Sequence, residues 1–135
     1  MVKVADASLN PLDWRLRAGY LNDVMPVKFP LILGSDVSGE VVSVGAGVTR
    51  FKAGDKALGF VKPSYAELPV ATEDELALLP AGMNLADAGV LPVVALTGAQ
   101  LMEKGVRPHA GEPVLLTAVW GRGSREPTRV AGLAG

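Results

Sequence analysis

The chain has 135 residues, a formal net charge of −1 and both signs of charge scattered along it. That balance gives no footprint for nucleic acid or an anionic membrane. It contains no cysteine and one histidine, so disulfides, thiolate chemistry and a cysteine-ligated zinc are excluded, and His109 cannot build a zinc site unaided. A chain of this length is one domain and buries roughly two thirds of its unfolded surface. With only 3 Phe, 2 Trp and 2 Tyr, its core must rest on Val, Leu and Ala.

In chain order, Val2 and Val4 alternate with Lys3, so the chain opens inside a strand. Pro11 to Trp14 break it, and Trp14 to Arg17 predict one helical turn ending at Gly19. Residues 21–30, with Asn22, Asp23, Pro26 and Pro30, read as a loop. Gly34 to Gly59 (GSDVSGEVVSVGAGVTRFKAGDKALG) follows. Gly34, Gly39, Gly45, Gly47, Gly54 and Gly59 punctuate short apolar runs, which suits tight turns of positive φ. Val42 and Val44 point one way and Val41 and Ser43 the other, the period-two pattern of a strand. Tyr65 to Val70 predicts a further strand, and so does Asp74 to Leu79.

From Asn84 the period changes. Asn84 with Asp87 forms a capping-box variant for a short helix to Gly89. Pro92 starts a second helix that the pattern runs to Lys104, with Gly105 as its stop. Val90 to Met102 is the longest apolar stretch, but it is interrupted and too short to cross a bilayer. His109, in Arg107-Pro108-His109-Ala110-Gly111, reads as a solvated turn residue. Val114 to Leu116 predicts a buried strand. Ala118 to Gly135, with Arg122, Arg125 and Arg129 among Gly, Ser and Pro, shows no period and is expected to be a poorly ordered tail. No signal peptide is visible, so the expected location is cytosolic.

The glycine-rich block resembles that of the GroES-like domain in the medium-chain dehydrogenase/reductase superfamily. Three further segments carry the same resemblance: Ala7 to Gly19, which is similar to the loop of quinone oxidoreductase-like members, Tyr65-Ala66-Glu67, and Leu96-Thr97-Gly98-Ala99. The resemblance covers Val2 to about Thr117. The fold it implies is mainly β with short helices, a partly open GroES-like β-barrel followed by only the first strand of a Rossmann domain. The expected organisation is 1–92 as the GroES-like domain, 93–117 as a connecting helix and first Rossmann-like strand, and 118–135 as the atypical tail.

The activity implied is hydride transfer from NADPH or NADH to a quinone or enone. In the zinc-dependent branch a cysteine and a histidine ligate the metal; here Asn10 and Ser35 stand at those positions, and neither is a sound zinc ligand. The resemblance therefore implies the zinc-independent branch. Carried over residue by residue, Asn10 and Thr97 would lie at the nicotinamide end of the cofactor, Asn10 with an amide that both donates and accepts. Asp13, Trp14 and Tyr20 are substrate-pocket candidates; Arg15 departs from a tyrosine common in the branch. The plain alternatives are that Asn10 caps a turn, Thr97 bonds its own helix carbonyl, Asp13 is buried or stabilises a turn, and the aromatics, Tyr65 among them, belong to the core.

Two departures shape the functional expectation. Members begin with a hairpin ahead of the strand at Val2, so the N-terminus looks clipped. After Thr117, Gly121 and Gly123 form a lone Gly-x-Gly where a pyrophosphate-binding turn belongs, which is weak. A truncated product with an altered reading frame is expected, testable by comparing the coding DNA in all frames. The chain is then an oxidoreductase by descent without appreciable turnover of its own. The other reading is a non-enzymatic barrel used for interaction, with self-association through an apolar patch at Val93, Leu96 and Leu101.

Overall fold

The computed structural model describes residues 1–115 and 130–132. The chain divides into two compact units, Met1–Leu96 and Thr97–Gly135.

The first unit is built on strand β1 (Val2–Asp6), helix α1 (Pro11–Arg17) and strands β2 (Asp36–Val41), β3 (Lys56–Phe60) and β4 (Leu76–Leu78). Helix α2 (Leu85–Ala88) follows, and helix α3 (Pro92–Gln100) begins before the unit ends. The strands form one antiparallel sheet in the order β1-β2-β3-β4. Val2 faces Val41, Val37 faces Gly59 and Leu58 faces Ala77, and a bulge between Val4 and Asp6 shifts the register as β1 ends. The unit is mostly sheet with a few short helices, as expected.

The core is Val2, Val37, Val41, Ala57, Val61 and Leu76 with Phe51, and Val4, Val48 and Ala71 pack against it. Small β-branched side chains pack on a pleated surface at little entropic cost, which is how a chain poor in aromatics closes a core. The strand expected around Val41 to Val44 lies earlier. β2 is buried on nearly every residue, whereas Val42 and Val44 lie beyond it and are exposed. A strand covered on both faces has no alternation for the sequence to display.

The glycines of this block do not all serve turns. Gly34 has φ of 96°, as expected, and a Cβ there would meet Ser64 Oγ at 2.3 Å. Gly39 instead lies inside β2, where a Cβ would meet the Lys3 carbonyl at 2.2 Å, so close backbone approach is what requires it.

Residues 65–70 form no strand. They run beside β1, with Val2 N–H donating to Pro69 O and Val4 N–H to Glu67 O, both at 3.1 Å. Pro69 has no N–H to extend a ladder. The strand expected over Asp74 to Leu79 splits into a 3₁₀ turn (Glu73–Glu75) and β4. α1 starts earlier than expected because Pro11 is its first residue rather than a breaker. α2 matches its expected span, and Asn84 Oδ1 accepts from Ala86 N–H at 3.0 Å.

In the second unit, α3 passes at Leu101 into a π-helical turn that runs to Val106. Gly105 lies within that turn rather than stopping the helix; Arg107, at φ 50°, closes it with its N–H on Met102 O at 2.8 Å. Pro108 then bars further helix. His109 is exposed, and its backbone N–H donates to Glu112. Strand β5 (Pro113–Leu115) pairs antiparallel with β6 (Val130–Gly132), where no strand was expected. The rest of the expected tail lies outside the described residues.

Candidate functional site

The start of α1 is where buried polar groups gather. Asn10 is its N-cap residue, Pro11 its first helical residue and Asp13 its third. Asp13 faces back, and its Oδ2 accepts from the Asn10 backbone N–H at 2.8 Å, one half of a capping box. The same oxygen accepts from the Tyr65 hydroxyl at 2.9 Å, while Oδ1 accepts from Gly34 N–H at 3.1 Å. Asp13 is 5% exposed. One carboxylate thus joins α1, the loop entering β2 and the segment beside β1.

A second carboxylate, Asp36, is 1% exposed at the first position of β2. Its Oδ1 accepts from Val93 N–H at 2.7 Å, and its Oδ2 from Asn10 Nδ2 at 2.8 Å and from the Ser8 hydroxyl. Asn10 Nδ2 also donates to Ser8 Oγ at 3.1 Å. Two buried carboxylates are therefore satisfied by neutral donors. The ion pairs among the described residues, Arg50–Asp74 and Lys52–Asp55, lie on the surface. Such an arrangement holds because hydrogen bonds to an ionised acceptor are about twice as strong as neutral ones.

The Tyr65 hydroxyl is within 2.9 Å of both Asp13 Oδ2 and the Ser8 carbonyl. Burial, then the hydrogen bond and charge of Asp13 and the charge of Asp36, push its pKa up to about 12. It serves this cluster as a neutral donor. The Ser64 hydroxyl, buried beside Gly34, has no hydrogen-bond partner among the described residues.

Beside the cluster lies a cleft of about 430 Å³. Leu12, Leu16, Val27 and Leu31 give it apolar walls, and Asp13 and Ser35 are among its polar lining. With both Asp13 oxygens engaged, the cleft offers mainly shape and apolar surface. Trp14 and Tyr20 do not line it. They stand 48% and 71% exposed, stacked edge to face at 5.6 Å, so they are neither core nor part of this cleft. Thr97 is exposed on α3, and among the described residues its hydroxyl makes no bond to its own helix. Val93 is half-buried with its N–H committed to Asp36, so it does not belong to an exposed patch with Leu96 and Leu101.

Among the described residues, no three His, Cys, Asp or Glu side chains gather to hold a metal. Asn10 and Ser35 supply neither thiolate nor imidazole, so this donor set does not fit zinc.

Sequence reasoning missed Asp36, Ser8 and the task of Tyr65. The signal for Asp36 was present: an acid between Ser35 and Val37 in a run otherwise apolar or small must either face water or find buried donors.

An antiparallel sheet with this glycine block and this helix-start cluster defines a class. Residues 1–91 match the family model of the alcohol dehydrogenase GroES-like domain, and the chain belongs to that family, in the quinone oxidoreductase-like branch of the medium-chain dehydrogenase/reductases. It is 41% identical over 106 residues to the chloroplastic quinone-oxidoreductase homolog of Spinacia oleracea, covering 76% of this chain and 32% of that one. It is 38% identical over 120 residues to the mitochondrial NAD(P)H oxidoreductase RTN4IP1 of Homo sapiens, covering 77% and 30%. The solved Escherichia coli quinone oxidoreductase complexed with NADPH matches with a TM-score of 0.68 at 28% identity, covering 76% of this chain and 31% of that one. The chain thus spans about a third of the length of these relatives. Among the described residues, no helix is long and apolar enough to cross a membrane.

Proposed function

We propose that this chain forms the substrate-side half of an NAD(P)H-dependent reductase of quinones or enones that works without zinc. The observation that carries the reading is the donor set. Asn10 and Ser35 offer no metal ligands, and Asn10 is instead held by Asp36 and Ser8 beside an apolar cleft. A planar, weakly polar acceptor suits apolar walls, whereas a metal-bound alkoxide does not. The nicotinamide supplies the hydride when bound. In this reading Asn10 and Thr97 orient its ring, the leucine walls exclude water, and Asp13 keeps the α1 start and the Gly34 loop in register. The chain contributes no group assigned to the chemical step; its part is to hold cofactor and substrate at the contact distance that hydride transfer needs.

The same reading takes the substrate to be a small molecule, with no nucleic-acid or membrane partner, and places the chain in the cytosol; fractionation of cells expressing it tests the location. A second reading, a barrel used for interaction, is favoured by one observation: Val94 and Leu96 on α3 are 59% and 47% exposed. Sedimentation across concentrations tests the self-association it entails.

The deciding experiment is titration of the chain with NADPH and with NADH, followed by cofactor fluorescence, with the Asn10→Ala/Thr97→Ala double variant as control. Saturable binding that the double variant loses is expected. No binding at high cofactor, together with concentration-dependent self-association, would replace the first reading by the second.

A further inference from the structure

Two of the residues lining the cleft beside α1 carry charge, Asp13 and Lys62, and they differ in what holds them. Asp13 is the buried one, with Oδ1 engaged by Gly34 N–H and Oδ2 by Asn10 N–H and the Tyr65 hydroxyl. Lys62 is the exposed one, and among the described residues it makes no ion pair. Its ammonium rests 4.9 Å from the centre of the Phe60 ring, a contact that is weak where water still reaches the cation.

The backbone around Lys62 is fixed. Val61 N–H donates to Ser35 O at 2.8 Å, Ser64 N–H to Gly34 O at 3.3 Å and Tyr65 N–H to Leu33 O at 3.0 Å. Val61 and Ser64 are fully buried, so Lys62 and Pro63 form a two-residue step held between them. Residues 33–35, which receive these bonds, line the same cleft. The lysine therefore has a set Cα and a flexible four-carbon stem, which lets a point charge follow a ligand without moving the wall.

Position decides what this charge selects. The apolar body of an acceptor is served by Leu12, Leu16 and Leu31. An anionic group on the same molecule is repelled on the buried side by the Asp13 carboxylate and attracted on the exposed side by Lys62. The two charges thus turn such a molecule one way round, apolar body inward and anion at the mouth.

We propose that Lys62 is a specificity-determining residue at the mouth of this cleft, selecting acceptors that carry a carboxylate beyond an apolar enone or quinone body. That the molecule is a hydride acceptor rests on the proposed function; that the cleft prefers a carboxylate rests on Lys62 and Asp13 alone.

The test is an NMR titration of the whole chain with two enones of one shape, 4-(3-oxobut-1-enyl)benzoate and its methyl ester. Both should shift the signals of Leu16 and Leu31, and the wild type should bind the carboxylate roughly fivefold more tightly. Lys62→Met keeps most of the stem and removes the charge, so it should bring the two ligands level. Lys62→Arg should keep the preference, and Lys62→Glu should reverse it. Because Lys62 is exposed, none of these changes disturbs the core. Raising the ionic strength from about 0.01 M to about 1 M cuts the screening length from about 30 Å to about 3 Å and should shrink the preference. Equal binding of the two ligands by the wild type, a preference kept in Lys62→Met, or no shift in the cleft with either ligand overturns the proposal. The NADPH titration stands apart from these outcomes. A carboxylate preference that depends on Lys62 in a chain that binds no cofactor upholds the cleft assignment and sinks the reductase reading. Cofactor binding without that preference does the reverse.

Discussion

Two sets of carboxylates in this chain make the same kind of bond in opposite surroundings. On the surface, Glu73 accepts from the backbone N–H groups of Thr49 and Arg50 at 2.7 and 2.5 Å, and Asp55 from the backbone and ammonium of Lys52 at 2.9 Å. In the interior, Asp13 and Asp36 accept from Gly34, Tyr65, Asn10, Ser8 and Val93. Glu73 and Asp55 sit at the solvent boundary, half-buried, where water can replace part of what they lose. The interior acids have no such replacement, so their removal leaves donors stranded. Geometry alone does not set the value of a hydrogen bond; the cost of leaving its partners unmade does.

The largest break in this contrast is expected from Asp13→Ala. It strands the Asn10 and Gly34 N–H groups and leaves the Tyr65 hydroxyl only the Ser8 carbonyl, and should cost about 3 kcal/mol in urea unfolding. A loss no greater than that of a surface acid would end the distinction. Gly34→Ala should cost nearly as much, about 2 to 3 kcal/mol, because φ is 96° and the added Cβ meets Ser64 Oγ at 2.3 Å and the Tyr65 ring at 2.5 Å. Recovery of part of that loss by Ser64→Gly in the double variant would locate the clash.

Tyr65→Phe should cost about 1 kcal/mol at neutral pH. Its pH dependence sharpens the comparison. The folded pKa is raised from 10.0 to about 12, so the protonated phenol is favoured by folding. That stabilisation is complete below pH 10, and is lost as pH rises through about 12. Absorbance titration of a Tyr20→Phe variant, which leaves Tyr65 as the single tyrosine, should give a midpoint near 12, and Asp13→Asn should lower it.

The smallest effect belongs to Glu73→Gln. Hydrogen bonds from Arg50 and Thr49 hold the Glu73 carboxyl below its ordinary 4.5. Its contribution is therefore present above pH 4.5 and lost as pH falls through the lowered value. Thermal melts of wild type and variant should differ slightly at pH 7 and converge in acid, whereas the Asp13→Ala difference at pH 7 stays large.

Much of the fold was legible in local chemistry. Val2 and Val4 announce β1, Asn84 marks the start of α2, and the glycine block with Ala7 to Gly19 identified the family that residues 1–91 match. Patterns failed where burial was two-sided or a proline intervened: β2 has no alternation to read, Pro69 keeps residues 65–70 out of the ladder, and Pro11 starts the helix it was expected to precede. The site was legible as residue types only. Asn10 could be picked out, but the bonds its Nδ2 makes to residues 8 and 36 could not.

By itself, then, the sequence determined that this is a glycine-punctuated β domain with no thiolate and a single imidazole, hence one without the usual zinc ligands. Composition and short-range spacing are enough for that, because turns, caps and ligand chemistry are local. Only the tertiary structure decided that Asp36 is buried beside Asn10 and Ser8 and that Trp14 and Tyr20 are exposed. Those outcomes depend on which donors distant segments bring within about 3 Å of one another. Hydrogen-bond partners separated by 26 to 57 residues leave no periodic trace in the chain that makes them.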